Sequence, residues 1–267
     1  MIFKILFIVF LLPFASMANM MSYSVSPGIV KFETIKGSVK SFDLTFINQG
    51  ENSLKVEVKV MDLRLDKEGV PVISKISTTN DQWGRFVKVS NKKFSLKPKK
   101  SKKINVSLTT PRSAKGSGYF AVVFNTSTAK PSKALKSHNV MSVGSQMPVL
   151  FLGEIARLGL AKIEVSKAVI NKPPYSSKKP LKLRFSLRNM GTTHVNVDGD
   201  LLLRYKGKVV ERLSLESGSG LIIPNGERYF VATSKKFSNF LNKKLQAEAR
   251  FSFPGGRANK KITFLVK

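Results

Sequence analysis

Few side chains in this chain of 267 residues are of a kind that does covalent chemistry, and their spacing keeps them apart. There is no cysteine, and the two histidines, His138 and His194, have no carboxylate pattern beside them. No His/Cys cluster has the spacing of a metal site. A serine nucleophile would announce itself by a Gly-x-Ser-x-Gly elbow, and a phosphate loop by a glycine-rich turn between strand and helix; neither pattern occurs. Asp198-Gly199-Asp200 is a close acidic pair, but period-two alternation puts both carboxylates on one outward strand face. The residues therefore point to a non-enzymatic binding protein that needs no cofactor and no metal.

The elements that would position a binding surface come in two copies. Phe42-Asp-Leu-Thr-Phe-Ile-Asn48-Gln-Gly50 is echoed by Leu183-Arg-Phe-Ser-Leu-Arg-Asn189-Met-Gly191. Each copy is followed by a charged turn with a glycine (Gly69, Gly207), a proline turn opening a polar strand (Pro98, Pro224) and an aromatic strand. Two copies of one ordered pattern mean two domains of one topology. Alternation such as Leu54, Val56, Val58, Val60 and Ile104, Val106, Leu108 dominates, and no stretch offers a long helical period with a cap and a stop. The fold class is all-β: two tandem immunoglobulin-like β-sandwich domains after a signal peptide, with one short helical turn near Lys235 to Leu241.

Residues 1–18 carry one Lys, an apolar run from Ile5 to Leu12, and Ser16-Met17-Ala18, the pattern of a cleavable secretory signal. The run is too short to span a bilayer and no later segment is longer, so the expectation is an exported, soluble, periplasmic protein. The domains then read as 19–153 and 154–267. An exported chain without cysteine has no disulfide framework, and each domain must be stabilised by its own apolar core. The formal charge is +30, shared between the domains. Export argues against nucleic acid as the partner, whereas an anionic envelope polymer or an acidic protein fits the field. The same lysines also serve solubility.

Several blocks are familiar. Asn48 closing a strand, Trp83 before Arg85-Phe-Val-Lys-Val-Ser, Phe94-Ser-Leu-Lys-Pro98, Thr110-Pro111-Arg112 and Gly118-Tyr-Phe-Ala-Val-Val-Phe124 resemble the N-terminal domain of PapD-like periplasmic pilus and fimbrial chaperones. Asn189-Met-Gly-Thr-Thr-His-Val and Ile223-Pro-Asn-Gly226 resemble the second domain of divergent branches of that superfamily. The resemblance implies a chaperone that lends an edge strand to an incomplete, pilin-like surface subunit and delivers it to an outer-membrane assembly platform. The lent strand would be the last of the first domain, near 140 to 152, where Met141, Val143, Met147, Val149 and Phe151 share one parity. That alternation fits two uses, a face offered to the partner or a face packed into the domain's own core. Pro148, lacking an N–H, suits an edge.

In one respect the chain departs from the family. The chaperones best known in this family hold the client's terminal carboxylate with an Arg and a Lys, and the matching positions here are Ile29 and Met147 or Pro148. Lys31 and Arg157 are the nearby basic residues that the resemblance leaves as anchors. The rival reading is a non-catalytic envelope-binding or scaffolding protein that works through its positive surface.

Overall fold

The computed structural model of the protein describes residues 22–77, 82–128, 144–176 and 178–266. The signal sequence, Met141 and Val143 lie outside the described residues. The first sandwich is made by β1 (Tyr23–Ser26), β2 (Ile29–Thr34), β3 (Val39–Asn48), β4 (Leu54–Leu65), β5 (Pro71–Ser74), β6 (Val87–Val89), β7 (Lys93–Leu96), β8 (Ser101–Thr109), β9 (Ser117–Thr128) and β10 (Gly144–Ile155). The second is made by β11 (Ile163–Ile170), β12 (Leu181–Asn189), β13 (Val195–Asn196), β14 (Asp198–Tyr205), β15 (Lys208–Ser214), β16 (Leu221–Ile222), β17 (Glu227–Ser234), β18 (Lys244–Phe253) and β19 (Gly256–Leu265). A 3-10 turn at Phe237–Phe240 is the expected helical turn.

In the first sandwich the sheet β1-β3-β8-β6 faces the sheet β2-β10-β9-β4-β5, with β7 on the free part of β4. Alternation predicts which side chains meet between them: Val56, Val58, Ile104, Val106 and Leu108 are all buried. Phe120 stacks on its sheet neighbour Phe151 at 4.4 Å, and the two sheets are joined by the ring contacts of Phe46 with Phe124 at 5.5 Å and of Phe42 with Phe151 at 5.4 Å. Trp83 is fully buried against Gly118 and Gly153, which stand opposite each other on β9 and β10. A Cβ on either glycine would overlap the indole. The second sandwich sets β11-β12-β17 against β15-β14-β18-β19 around its own apolar cluster, with β13 and β16 as a short ribbon.

Two strands leave no clear periodic signal in the sequence. The chain leaves β1 at Ser26, passes a cis Ser26–Pro27 bond, and enters the opposite sheet as β2. In β7 the lysines of Lys92-Lys93 and Lys97 mask the short alternation. Gly69 and Gly207 have positive φ in their tight turns, at 82° and 78°. Gly226 does not; the left-handed residue of its turn is Asn225, at 60°.

The duplicated Asn-x-Gly is a duplicated structure. Asn48 and Asn189 are buried at the ends of β3 and β12. The Asn48 amide donates to the carbonyls of Asn52 and Leu96 and its Oδ1 accepts from the Gly50 N–H. The Asn189 amide donates to the carbonyls of Thr193 and Ile222 and its Oδ1 accepts from the Gly191 N–H. Each asparagine thus satisfies the backbone of a loop that the sandwich needs closed. Asn48→Ala and Asn189→Ala should each cost about 2–4 kcal/mol, since buried carbonyls lose their donors, and the two losses should add, as read from urea unfolding midpoints.

Candidate functional site

β10 is paired differently along its two halves. Its whole length pairs antiparallel with β9, from Gly144 opposite Ser127 to Glu154 opposite Ser117. On its other side, β2 pairs in parallel only from Leu150 opposite Ile29 to Ile155 opposite Thr34. The reason is the sheet switch: ahead of Gly28 the chain belongs to β1, which pairs β3 in the opposite sheet. On that side no described strand pairs with the Gly144–Val149 half of β10.

The outward groups of that half follow from hydrogen bonds at its ends. The Leu150 N–H donates to the Gly28 carbonyl and the Ala156 N–H to the Thr34 carbonyl, so even-numbered residues turn their backbone toward the β2 side. The Ile155 N–H donates to the Gly116 carbonyl, on the β9 side. Gly144 and Gln146 therefore direct N–H and C=O groups to the open edge, and Pro148 adds a carbonyl there without a donor. Tyr23 Oη donates to Ser145 Oγ at 3.0 Å near the end of this edge.

Side chains of odd and even parity take opposite faces. Val149 and Phe151 are fully buried in the core of their own sandwich and Met147 is half-buried. Even residues face out, where Gln146 and Pro148 join Lys59, Met61, Ile73, Val123 and Asn125 around a shallow pocket of about 210 Å³. Its apolar floor continues into a cluster of Leu63, Tyr119, Ala121, Val123, Leu152 and, from the second sandwich, Ile223. The face beside the open edge runs from polar at the far end to apolar against the second domain.

Beside the apolar contact of Ile223, two polar contacts join the domains among the described residues. At the joint, the Ser117 N–H donates to the Thr192 carbonyl and the Ser117 hydroxyl meets Thr193 Oγ1 at 3.2 Å. At the other contact the β4–β5 turn reaches β17. The Tyr229 N–H donates to the Lys67 carbonyl, Lys67 Nζ lies 2.9 Å from Glu227, and Gly69 lies flat on the buried Arg228 guanidinium. Burial works against the Arg228 charge, while Asp66 and Glu68 favour it. None of these pairs is visible in sequence, because their members are far apart in the chain.

Lys31 and Arg157 lie near the joint and not on the open half of β10. Lys31 stands opposite Leu152, and Arg157, at φ 61°, lines a joint cavity of about 570 Å³ with Glu33, Glu154 and His194. His194, which has no carboxylate near it in sequence, has Glu154 Oε1 at 3.2 Å from its Nδ1. Ser117 Oγ is 3.4 Å from the same nitrogen. A relay needs the acid and the nucleophile on opposite ring nitrogens, so this trio is a joint and not a triad. Among the described residues no group of three or more His, Asp or Glu could hold a metal ion.

No protein-family model matches the chain, and no curated protein matches it. Solved structures do. The class 5 fimbriae chaperone CfaA is 12% identical, with 92% of this chain and 99% of that chain covered and a TM-score of 0.48. The E. coli chaperone DraB is 14% identical, with 92% and 97% covered and a TM-score of 0.41. A structure of the Salmonella enterica SafA pilin in complex with the SafB chaperone is matched at 10% identity, with 92% and 97% covered and a TM-score of 0.44.

Two outcomes follow from the joint and the turn. Burial pushes the His194 imidazole below its ordinary value of about 6.5, against the pull of Glu154, with Lys31 adding to the drop. The folded protein then binds that proton less readily than the unfolded chain, so stability falls as pH drops below about 6.5. His194→Gln should flatten that part of a pH series of urea unfolding. Gly69→Ala places a Cβ into the Arg228 guanidinium and a side chain at positive φ, the latter alone costing about 1–2 kcal/mol. Hydrogen exchange at the Tyr229 amide should accelerate with it.

Proposed function

We propose that this chain is an exported periplasmic chaperone that holds a secreted, β-rich, pilin-like surface subunit by offering it the open edge of β10, and passes it to an outer-membrane assembly platform. The observation that carries the reading is the half-paired β10: a strand anchored in its own core by Val149 and Phe151, with the backbone of Gly144, Gln146 and Pro148 facing outward beyond it. A client strand added there gains a short ladder of backbone hydrogen bonds, roughly 0.5–1.5 kcal/mol each, beside Gln146 and Pro148, and the body of the client can cover the outward face where Val123, Met61 and Ile73 lie on β9, β4 and β5. Of the odd-parity residues at the open segment, Met147 is the half-buried apolar one, between the exposed Ser145 and the buried Val149. A client carboxylate that reached the joint would meet Lys31 and Arg157.

The charge of +30 supports a second reading, an envelope binder that holds anionic polymer through its lysines. Salt separates the two, because backbone pairing with apolar burial resists it and surface electrostatics does not. Recovered from its native envelope, the full chain should carry a stoichiometric β-rich subunit that survives high salt. Gln146→Pro removes one edge donor and leaves the β9 ladder intact, so capture should weaken about twofold to tenfold. Met147→Arg should weaken it further. Capture that is indifferent to both changes, or a companion that washes off with salt, would overturn the chaperone reading.

A further inference from the structure

The pole of the second sandwich that faces away from the joint is built by three connections: 171–180 between β11 and β12, 205–209 around the β14–β15 turn, and 235–244 between β17 and β18. Strand pairing gathers them, with Leu181 opposite Ser234, Tyr205 opposite Lys208, and Lys244 opposite Leu265. The three connections hold nine lysines and no Asp or Glu. None of the nine forms an ion pair among the described residues. Lys206 and Lys243 come from different connections and place their ammonium groups 5.6 Å and 5.4 Å from the centre of one ring, Tyr205.

Two carboxylates on strands that run to this pole, on β15 and β18, are already occupied. Glu211 accepts from Ser234 Oγ at 2.6 Å, and Glu248 is held by Arg204 and Arg250. The other lysine run of the chain, Lys97 to Lys103, is partly neutralised, since Lys99 pairs with Glu51 and Lys103 with Asp43. The pole also carries an apolar residue where a solvated face needs none: Leu241, 47% exposed, stands in the same connection as Lys243. A soluble polyanion would use the lysines alone. A bilayer surface would use both, its phosphates meeting the ammonium groups while the leucine enters the headgroup boundary.

From this we infer that the far pole of the second domain docks the protein on an anionic phospholipid surface. The attachment is independent of the β10 edge, which lies in the other domain, and leaves that edge free.

The purified full chain is sedimented with vesicles of phosphatidylcholine alone and of phosphatidylcholine mixed with phosphatidylglycerol, at physiological ionic strength. The expected result is binding only to the mixed vesicles. Each lysine brought to such a surface contributes about fivefold, so the triple change Lys206→Gln, Lys235→Gln and Lys236→Gln should lower partitioning by about a hundredfold. The same number of changes at Lys97, Lys99 and Lys100 should lower it far less. Leu241→Ser keeps the charge and should lower partitioning by about tenfold, the loss of one inserted side chain. The proposal is overturned if the triple variant binds mixed vesicles as the unaltered protein does. It is equally overturned if Leu241→Ser is without effect while soluble polyphosphate displaces the protein completely, which would make the pole a polyanion site.

Discussion

A sheet satisfies backbone hydrogen-bonding groups only where two neighbours are present, and β10 has two neighbours along just half its length. That constraint originates upstream: the chain crosses from one sheet to the other at Pro27-Gly28, so β2 cannot continue beside the Gly144–Val149 half of β10. The core makes this tolerable. Val149 and Phe151 bury themselves between the sheets, Phe151 stacked on Phe120, and β9 pairs β10 throughout, so the strand is held in place without a second neighbour. An edge that is rigid and unpaired is a template for another strand, and proteins ordinarily blunt such edges. Pro148 does so only in part, because it removes a donor and leaves the carbonyl.

The second domain matters through the surface it places beside that edge. The joint around Ser117, Thr192 and His194 fixes one end, and the β4–β5 turn docked on Glu227, Arg228 and Tyr229 fixes another. Between them Ile223 closes the apolar cluster on the outward face of the first sandwich. The orientation of the second domain depends on buried polar contacts that tolerate little change in side-chain volume, as the guanidinium lying on Gly69 illustrates.

Much of this was legible in the residues. The repeat of Asn48 and Asn189 announced two domains of one topology, and both asparagines brace their loops with matching hydrogen bonds. Alternation in β4 and β8 told which side chains are inward. It could not tell which way the odd parity of β10 points, because a face is apolar for a partner and for a core alike; at Val149 and Phe151 the core takes it. The departure of the chain at Pro27 is not legible, since a sheet switch leaves no periodic signal. The pairings of His194 with Glu154 and of Lys67 with Glu227 join distant positions and carry no local signature.

The most direct test is amide hydrogen exchange on the full chain, first alone and then in complex with the subunit recovered with it. The account requires the Gly144 and Gln146 amides to exchange quickly in the free protein and slowly in the complex, while those of Met147 and Val149, turned toward β9, are slow in both. Amides of Gly144 and Gln146 that stay fast in the complex, or are already slow in the free protein, would contradict it.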